Sequence, residues 1–261
     1  MRHRNVYNVE SFSSIETEAS AYWFGFICAD GCIRWNGKRK VVEVTLQQTD
    51  ARHLELLRDF VCPKNKIYNK TVRRGNKVFR HVRLTISSHT IAEQLEKLGC
   101  GMKKSLNLRW PSTVPKKHLR HFMRGYFDGD GSVFFNKYFD LALSVEGNDL
   151  FLKKFRDHLL YELGISYTRL YKDKRSENRS YKKQGVDALK IMRYLYHEAS
   201  IYLRRKGETF YVYRRLKCLT RKSRKKSGTL KWESDLKARL LAGQGQRLGD
   251  EITPPRGRDA L

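Results

Sequence analysis

The chain is short of acid, short of cysteine, and has no long apolar run. Its 261 residues carry 27 Asp and Glu against 54 Lys and Arg, a formal charge of +27 at pH 7. An excess of that size is far more than solubility requires, and it points to a polyanionic partner, with nucleic acid first. The five cysteines, Cys28, Cys32, Cys62, Cys100 and Cys218, are odd in number and contain no CxxC pair. That spacing argues against a zinc finger and against a disulfide framework. The first twenty residues, MRHRNVYNVESFSSIETEAS, contain no apolar stretch, and no membrane span is visible elsewhere. An intracellular, non-secreted protein with no membrane partner is the expectation. Hydrophobic residues still make up 40% of the chain, enough for a core in one large domain or two small ones.

What the sequence does have is a repeat. AYWFGFICADGCI begins at Ala21 and HFMRGYFDGDGSV at His121, and Gly25, Phe26, Asp30 and Gly31 meet Gly125, Tyr126, Asp130 and Gly131 at an offset of 100 residues. Similar segments follow. Val42, Val44 and Leu46 alternate with Glu43, Thr45 and Gln47, as Leu141, Leu143 and Val145 alternate with Ala142, Ser144 and Glu146. Asp50 and Asp149 stand at expected N-caps ahead of HLELLRDF and FLKKFRDH. The first half reads as helices near 14–30, 50–61 and 89–99 separated by hairpins that turn at Asn36-Gly37 and Arg74-Gly75-Asn76. The second half gives helices near 115–129, 148–163 and 186–203, with Pro115 suited to a first helical turn. Strand limits across 165–185 are obscured by the polar run YKDKRSENRSYKKQG.

Each half thus offers about four antiparallel strands with one polar face. Arg34, Lys38, Arg39, Thr45, Tyr68, Lys70, His81, Arg83 and Thr85 in the first, and Arg169 and Tyr171 in the second, are the candidate DNA contacts. Gly25 and Ala29 share one helical face, as do Gly125 and Gly129, so the two repeated helices are expected to pack backbone to backbone. Asp30 and Asp130 then end these helices, where the macrodipole disfavours a carboxylate and each repels the other. A divalent cation relieves both costs. Oxygen ligands without a His or Cys cluster indicate Mg²⁺ rather than Zn²⁺. The alternative of a calcium loop starting at Asp128 fails, since its sixth and twelfth positions, Val133 and Phe139, are not Gly and Glu.

At Trp23–Gly31 (WFGFICADG) and Met123–Gly131 (MRGYFDGDG) the sequence resembles the LAGLIDADG homing endonucleases, specifically the single-chain, two-repeat members. The resemblance covers roughly residues 15–215. It implies an α+β fold of two pseudo-symmetric αββαββα repeats, with antiparallel sheets forming a DNA-binding saddle. It also implies a monomer that makes a staggered double-strand break at a long asymmetric site. Asp30 and Asp130 match the metal-holding acids, with the backbone of Ala29, Gly31 and Gly129 beside them; Asp128 matches no acid in the first copy. Mg²⁺ is the implied cofactor, with Mn²⁺ able to substitute. Gln47 matches a polar active-site position, with Glu146 its repeat partner by pattern. A basic residue follows the third helix of each half: GMKKSL offers Lys103 or Lys104, and YLRRKGE offers Arg204, Arg205 or Lys206, of which Lys104 and Lys206 are the expected pair.

The domain organisation expected is an N-terminal arm (1–14), a first repeat (15–110), a second repeat (111–215) and a basic linker and tail (216–261). Within that tail RKSRKK (221–226) is suited to phosphate contact, and 229–242 has the spacing of a short helix. The absence of evident splicing blocks suggests a free-standing or intron-encoded protein. An RNA-binding intron maturase of the same fold is the alternative. A regulator with this fold and no catalysis would be expected to lack the two acids.

Overall fold

The computed structural model describes residues 5–102, 104–138, 140–172 and 177–223. Thr17 and Ser20 form a reciprocal capping box that starts helix α1 (Glu18–Asp30). Every residue from Ser20 to Ala29 is buried. A helix apolar all round belongs in a core, and α1 crosses its counterpart α5 (Lys116–Asp130) at the centre of the molecule.

After α1 come β1 (Gly31–Asn36), β2 (Arg39–Gln47), α2 (Ala51–Val61), β3 (Ile67–Arg74), β4 (Lys77–Ile86), α3 (His89–Lys97) and the short α4 (Lys104–Asn107). After α5 come β5 (Gly131–Phe135), β6 (Leu141–Gly147), α6 (Asp149–Leu163), β7 (Tyr171–Lys172), β8 (Arg179–Gln184), α7 (Gly185–Tyr196) and α8 (Arg204–Ser223). The sheets are antiparallel, with orders β1-β2-β4-β3 and β5-β6-β8-β7. The repeat read in the sequence is therefore a repeat of architecture. Val42, Val44, Leu46, Val82, Leu84 and Ile86 in one sheet, and Leu141, Leu143, Val145 and Tyr181 in the other, face the helices.

Several local expectations shift. The first hairpin loop is Gly37-Lys38 rather than Asn36-Gly37, because Asn36 pairs with Arg39 and Gly37 takes the positive φ (+62°) that the first loop position of a II′ turn requires. Asp50 stands at the N-cap of α2 but makes no capping bond. Asp149 is the first residue of α6, whose cap is Asn148, accepting from the Phe151 amide at 2.9 Å. The helix expected over 186–203 ends at Tyr196. His197 turns to extended backbone and Glu198 has φ +56°, after which the chain re-enters a helix at Arg204.

The arm at 5–14 is docked: the Asn8 amide donates to Val61 O at 2.8 Å, and Phe12 is buried. Contacts divide the chain into two compact units, residues 1–213 and 214–261. The helix expected over 229–242 lies outside the described residues. No helix among the described residues is long and apolar enough to cross a membrane.

Candidate active site and nucleic-acid interface

The two central helices approach as closely as backbone allows. A Cβ on Gly25 would collide with Phe122 O, and one on Gly125 with Tyr22 O, a reciprocal pair that reflects the pseudo-twofold. Farther along, Gly129 lies against Ala29 and near the Asp30 carboxyl. The crossing thus brings Asp30 and Asp130 together at the C-terminal ends of α1 and α5. Burial, and next the negative charge of Asp130, push the Asp30 carboxyl up to about 6, against the pull of Lys206, Lys104 and Arg205. Burial also raises Asp130, with Glu146 adding to it, against the pull of Lys104, Lys206 and a bond from Tyr126.

Each half supplies one lysine to this junction. Lys104 Nζ donates to Ala29 O. Lys206, almost fully buried, donates to Phe127 O (2.8 Å), Asp128 O (2.7 Å) and Gly131 O (2.5 Å), with Gly129 O at 3.5 Å. Each ammonium therefore caps the carbonyls that end a helix and offsets the dipole there. Burial lowers Lys206 to about 8. Of the carbonyls expected beside the metal, that of Ala29 accepts from Lys104 and that of Gly129 lies 3.5 Å from Lys206 Nζ. Arg204 pairs with Glu208, Arg205 with Asp50, and Lys103 lies outside the described residues.

A family model for the LAGLIDADG-like domain matches residues 117–224. Over that stretch, which spans α5, the second sheet and α8, the chain is similar to the LAGLIDADG-like domain. Among solved structures it is similar to the meganuclease I-SmaMI bound to uncleaveable DNA (17% identity, 88% of this chain and 98% of that one, TM-score 0.56). I-SmaMI bound to uncleaved DNA in the presence of calcium ions gives 16%, 87%, 99% and 0.54. I-WcaI bound to its DNA recognition sequence gives 12%, 76%, 88% and 0.55. At these identities the likeness is one of fold, two repeats included. No curated protein sequence matches the chain.

Around α1 and α5 the register settles which residues correspond. Gly31 pairs with Val44 and Gly131 with Val145, so Glu146 occupies the position of Thr45, and Gln47 corresponds to Asn148. The pairing of Gln47 with Glu146 is thus corrected; the error came from counting alternation without the extra 3₁₀ turn at Gln48–Asp50. Gln47 is exposed, whereas Asn148 donates to Leu108 O at 2.8 Å while capping α6. Asp130, Lys104, Glu146, Asn148, Tyr126, Cys28 and Asn178 line a cleft of about 100 Å³.

Asp128 is a structural acid. It is fully buried and accepts from Tyr22 Oη at 2.6 Å, from the Leu203 amide at 2.7 Å and from Tyr196 Oη. Because the Tyr22 proton goes to Asp128, the 2.9 Å contact between Tyr22 Oη and His53 Nε2 requires His53 to be the donor. Burial holds His53 neutral, near 3.

A second buried group joins the helices. Arg124 donates to Glu18 Oε1 (2.5 Å), Ile201 O (2.8 Å) and Leu195 O (3.0 Å). Sequence reasoning missed both networks, although each had a signal: Arg124 and Asp128 stand where the first copy has Phe24 and Cys28.

The pairing places Arg34, Arg39, Thr45, Gln47, Tyr68, Lys70, His81, Arg83 and Thr85 on one face of the first sheet, with Lys38 at the hairpin tip. Glu43 on that face is matched by Arg34 at 3.0 Å and Arg83 at 3.7 Å. His81 Nδ1 and Arg83 Nε are buried without a hydrogen-bond partner. In the second sheet Tyr171 is flanked by Arg169 and Lys182, at 5.5 and 5.6 Å from its ring centre. Ser132, Ser144, Ser180, Lys182 and Gln184 share its face, and none was anticipated.

Proposed function

We propose that this protein is a site-specific LAGLIDADG homing endonuclease, acting as a monomer, that makes a staggered break in both strands of a long asymmetric DNA target. The observation that carries the reading is the Asp30–Asp130 pair: two buried carboxylates brought together where their own charges disfavour it. Among the described residues no group of three or more His, Cys, Asp or Glu forms a metal cluster. Two carboxylates therefore suit a hard cation that retains waters and takes phosphate oxygens, which is the habit of Mg²⁺, with Mn²⁺ as substitute. When bound, such a cation supplies an activated water and stabilises the leaving 3′ oxygen.

The remaining work falls to the chain. Asp30 and Asp130 must be ionised to hold the cation, and Lys104 and Lys206 keep those acids charged while fixing the helix ends. Gln47, exposed at the end of β2, offers an amide that makes no hydrogen bond among the described residues, and Glu146 adds a carboxylate on the Asp130 side. The polar sheet faces follow the major groove. The unpartnered His81 Nδ1 and Arg83 Nε support that use, since such groups ordinarily find partners.

Cleavage selection from a randomised double-stranded DNA library with Mg²⁺ tests this. Recovery of one long asymmetric site with staggered ends is expected, lost in chelator and in Asp30→Asn or Asp130→Asn. Undiminished cutting in chelator, or no cutting of any DNA, would overturn it. Binding should weaken by on the order of 10³-fold or more between about 50 and 200 mM salt if six or more phosphates are neutralised.

A further inference from the structure

The cations around the carboxylate pair differ in what they have left to offer. Lys104 is committed to Ala29 O, and Lys206 to the carbonyls ending α5. Arg204 is drawn off by Glu208. Arg205 is placed otherwise. Its Nε donates to Asp50 Oδ2 at 3.1 Å, and its Nη1 and Nη2 carry no hydrogen bond among the described residues. Its side chain is 56% exposed while that of Asp50 is 9% exposed. A guanidinium fixed at Nε with its fork open to solvent is pre-shaped for two oxygens of one phosphate.

Asp50 comes from the other repeat, 155 residues away, and forgoes the helix cap that its position at the start of α2 would allow. The charge of Arg205 bears on Asp30, while the flank of Asp130 carries Glu146, exposed and without an ion pair among the described residues. The two sides of the pseudo-twofold thus differ: one carries an arginine held by an aspartate, the other a carboxylate without an ion pair among the described residues.

We infer that Arg205 holds the scissile phosphate on the Asp30 side, with Asp50 as its positioning residue, so that the two DNA strands are cut by unequal machinery. This rests on the endonuclease reading and goes beyond it, because pseudo-symmetry alone would make the strands equivalent.

The test follows nicked and linear products from a supercoiled plasmid carrying a selected target, in Mg²⁺. In Arg205→Ala one strand should slow on the order of tenfold or more relative to the other, so that nicked circles accumulate. Arg205→Lys keeps the charge without the fork and should give the same strand bias at smaller size. It also serves as the arm that decides if the alanine variant folds poorly. Asp50→Asn should bias the same strand less than Arg205→Ala does, which a merely structural loss would not do. Equal slowing of both strands, or none, overturns the role of Arg205 and leaves the endonuclease reading standing. A wild-type protein that cuts no DNA overturns both.

Discussion

The helices α1 and α5 end alike, each at a glycine in extended backbone whose amide bonds the carbonyl four residues back, and have opposite interiors. In the first half Cys28 is buried beside Cys100, and burial pushes the Cys28 thiol up. In the second half the equivalent Asp128 is buried beneath two phenols, an amide and the Lys206 ammonium. The backbone must match, because two helices can cross this closely only where Gly25 and Gly125 face a carbonyl. The filling behind them need not match, since Cys28 packs on Cys100 of its own half whereas Asp128 is bonded by Tyr22 of the first repeat as well as by Tyr196 and Leu203 of its own. Asp128 binds the 197–203 connection through Leu203, and so sets where α8 starts and where Arg205 and Lys206 stand. Behind the end of α1 lies a pair of thiols, and behind the end of α5 a closed polar network.

The largest effect should ignore this difference. Asp30→Asn and Asp130→Asn are each expected to reduce double-strand cleavage by on the order of 10³-fold or more, with DNA affinity in Ca²⁺ changed only slightly. A variant of either acid that still cuts both strands would show that the two ends do not act as one device. The next effect should expose the difference. Asp128→Ala leaves two phenols and an amide without their acceptor and takes a counter-charge from beside the buried Lys206, and should cost about 3–5 kcal/mol. Cys28→Ala removes one sulfur and should cost about 1 kcal/mol. Denaturant midpoints of the two variants measure the contrast, and equal losses would refute it. Gly25→Ala and Gly125→Ala should cost about 3 kcal/mol each, and alike, because both force the same backbone apart. Unequal losses would mean that the crossing is less symmetric than its contacts.

Much of this was legible in the sequence, for physical reasons. The repeat of Gly25 and Asp30 in Gly125 and Asp130 located the helix pair, because glycine inside a helix and acid at its C-terminus both run against local preference. The alternation of Val42, Val44 and Leu46 gave the first sheet. The second sheet was hidden because Lys183 points inward, where alternation predicts an apolar residue; it is neutralised there by Asp187 at 2.8 Å and bonded to Ser166 Oγ at 2.9 Å. Glu146 was paired with the wrong residue because register depends on hydrogen bonds that a one-dimensional pattern does not carry. Arg124 and Asp128 could be seen as departures from the first copy. Their partners Glu18, Leu203 and Tyr196 lie far off in sequence and come together only in the fold.

The smallest expected effect concerns the cost of the site itself. The folded Asp30 carboxyl stands at about 6, above its ordinary 3.8. The folded protein therefore binds more protons than the unfolded chain between these values, and stability falls as pH rises through that window. Asp130 is raised too and acts in the same direction. Without divalent cation, Asp30→Asn should be more stable than the wild type at pH 8, by about 2 kcal/mol. At pH 4 the two should nearly coincide. Added Mg²⁺ should stabilise the wild type and leave the variant unmoved, because only the folded wild type holds the ion. Thermal melts at both pH values, with and without Mg²⁺, give the four comparisons. A wild type already more stable than Asp30→Asn in chelator at pH 8 would mean that Lys104, Lys206 and Arg205 outweigh burial and repulsion, and that the carboxylate pair needs no cation to settle it.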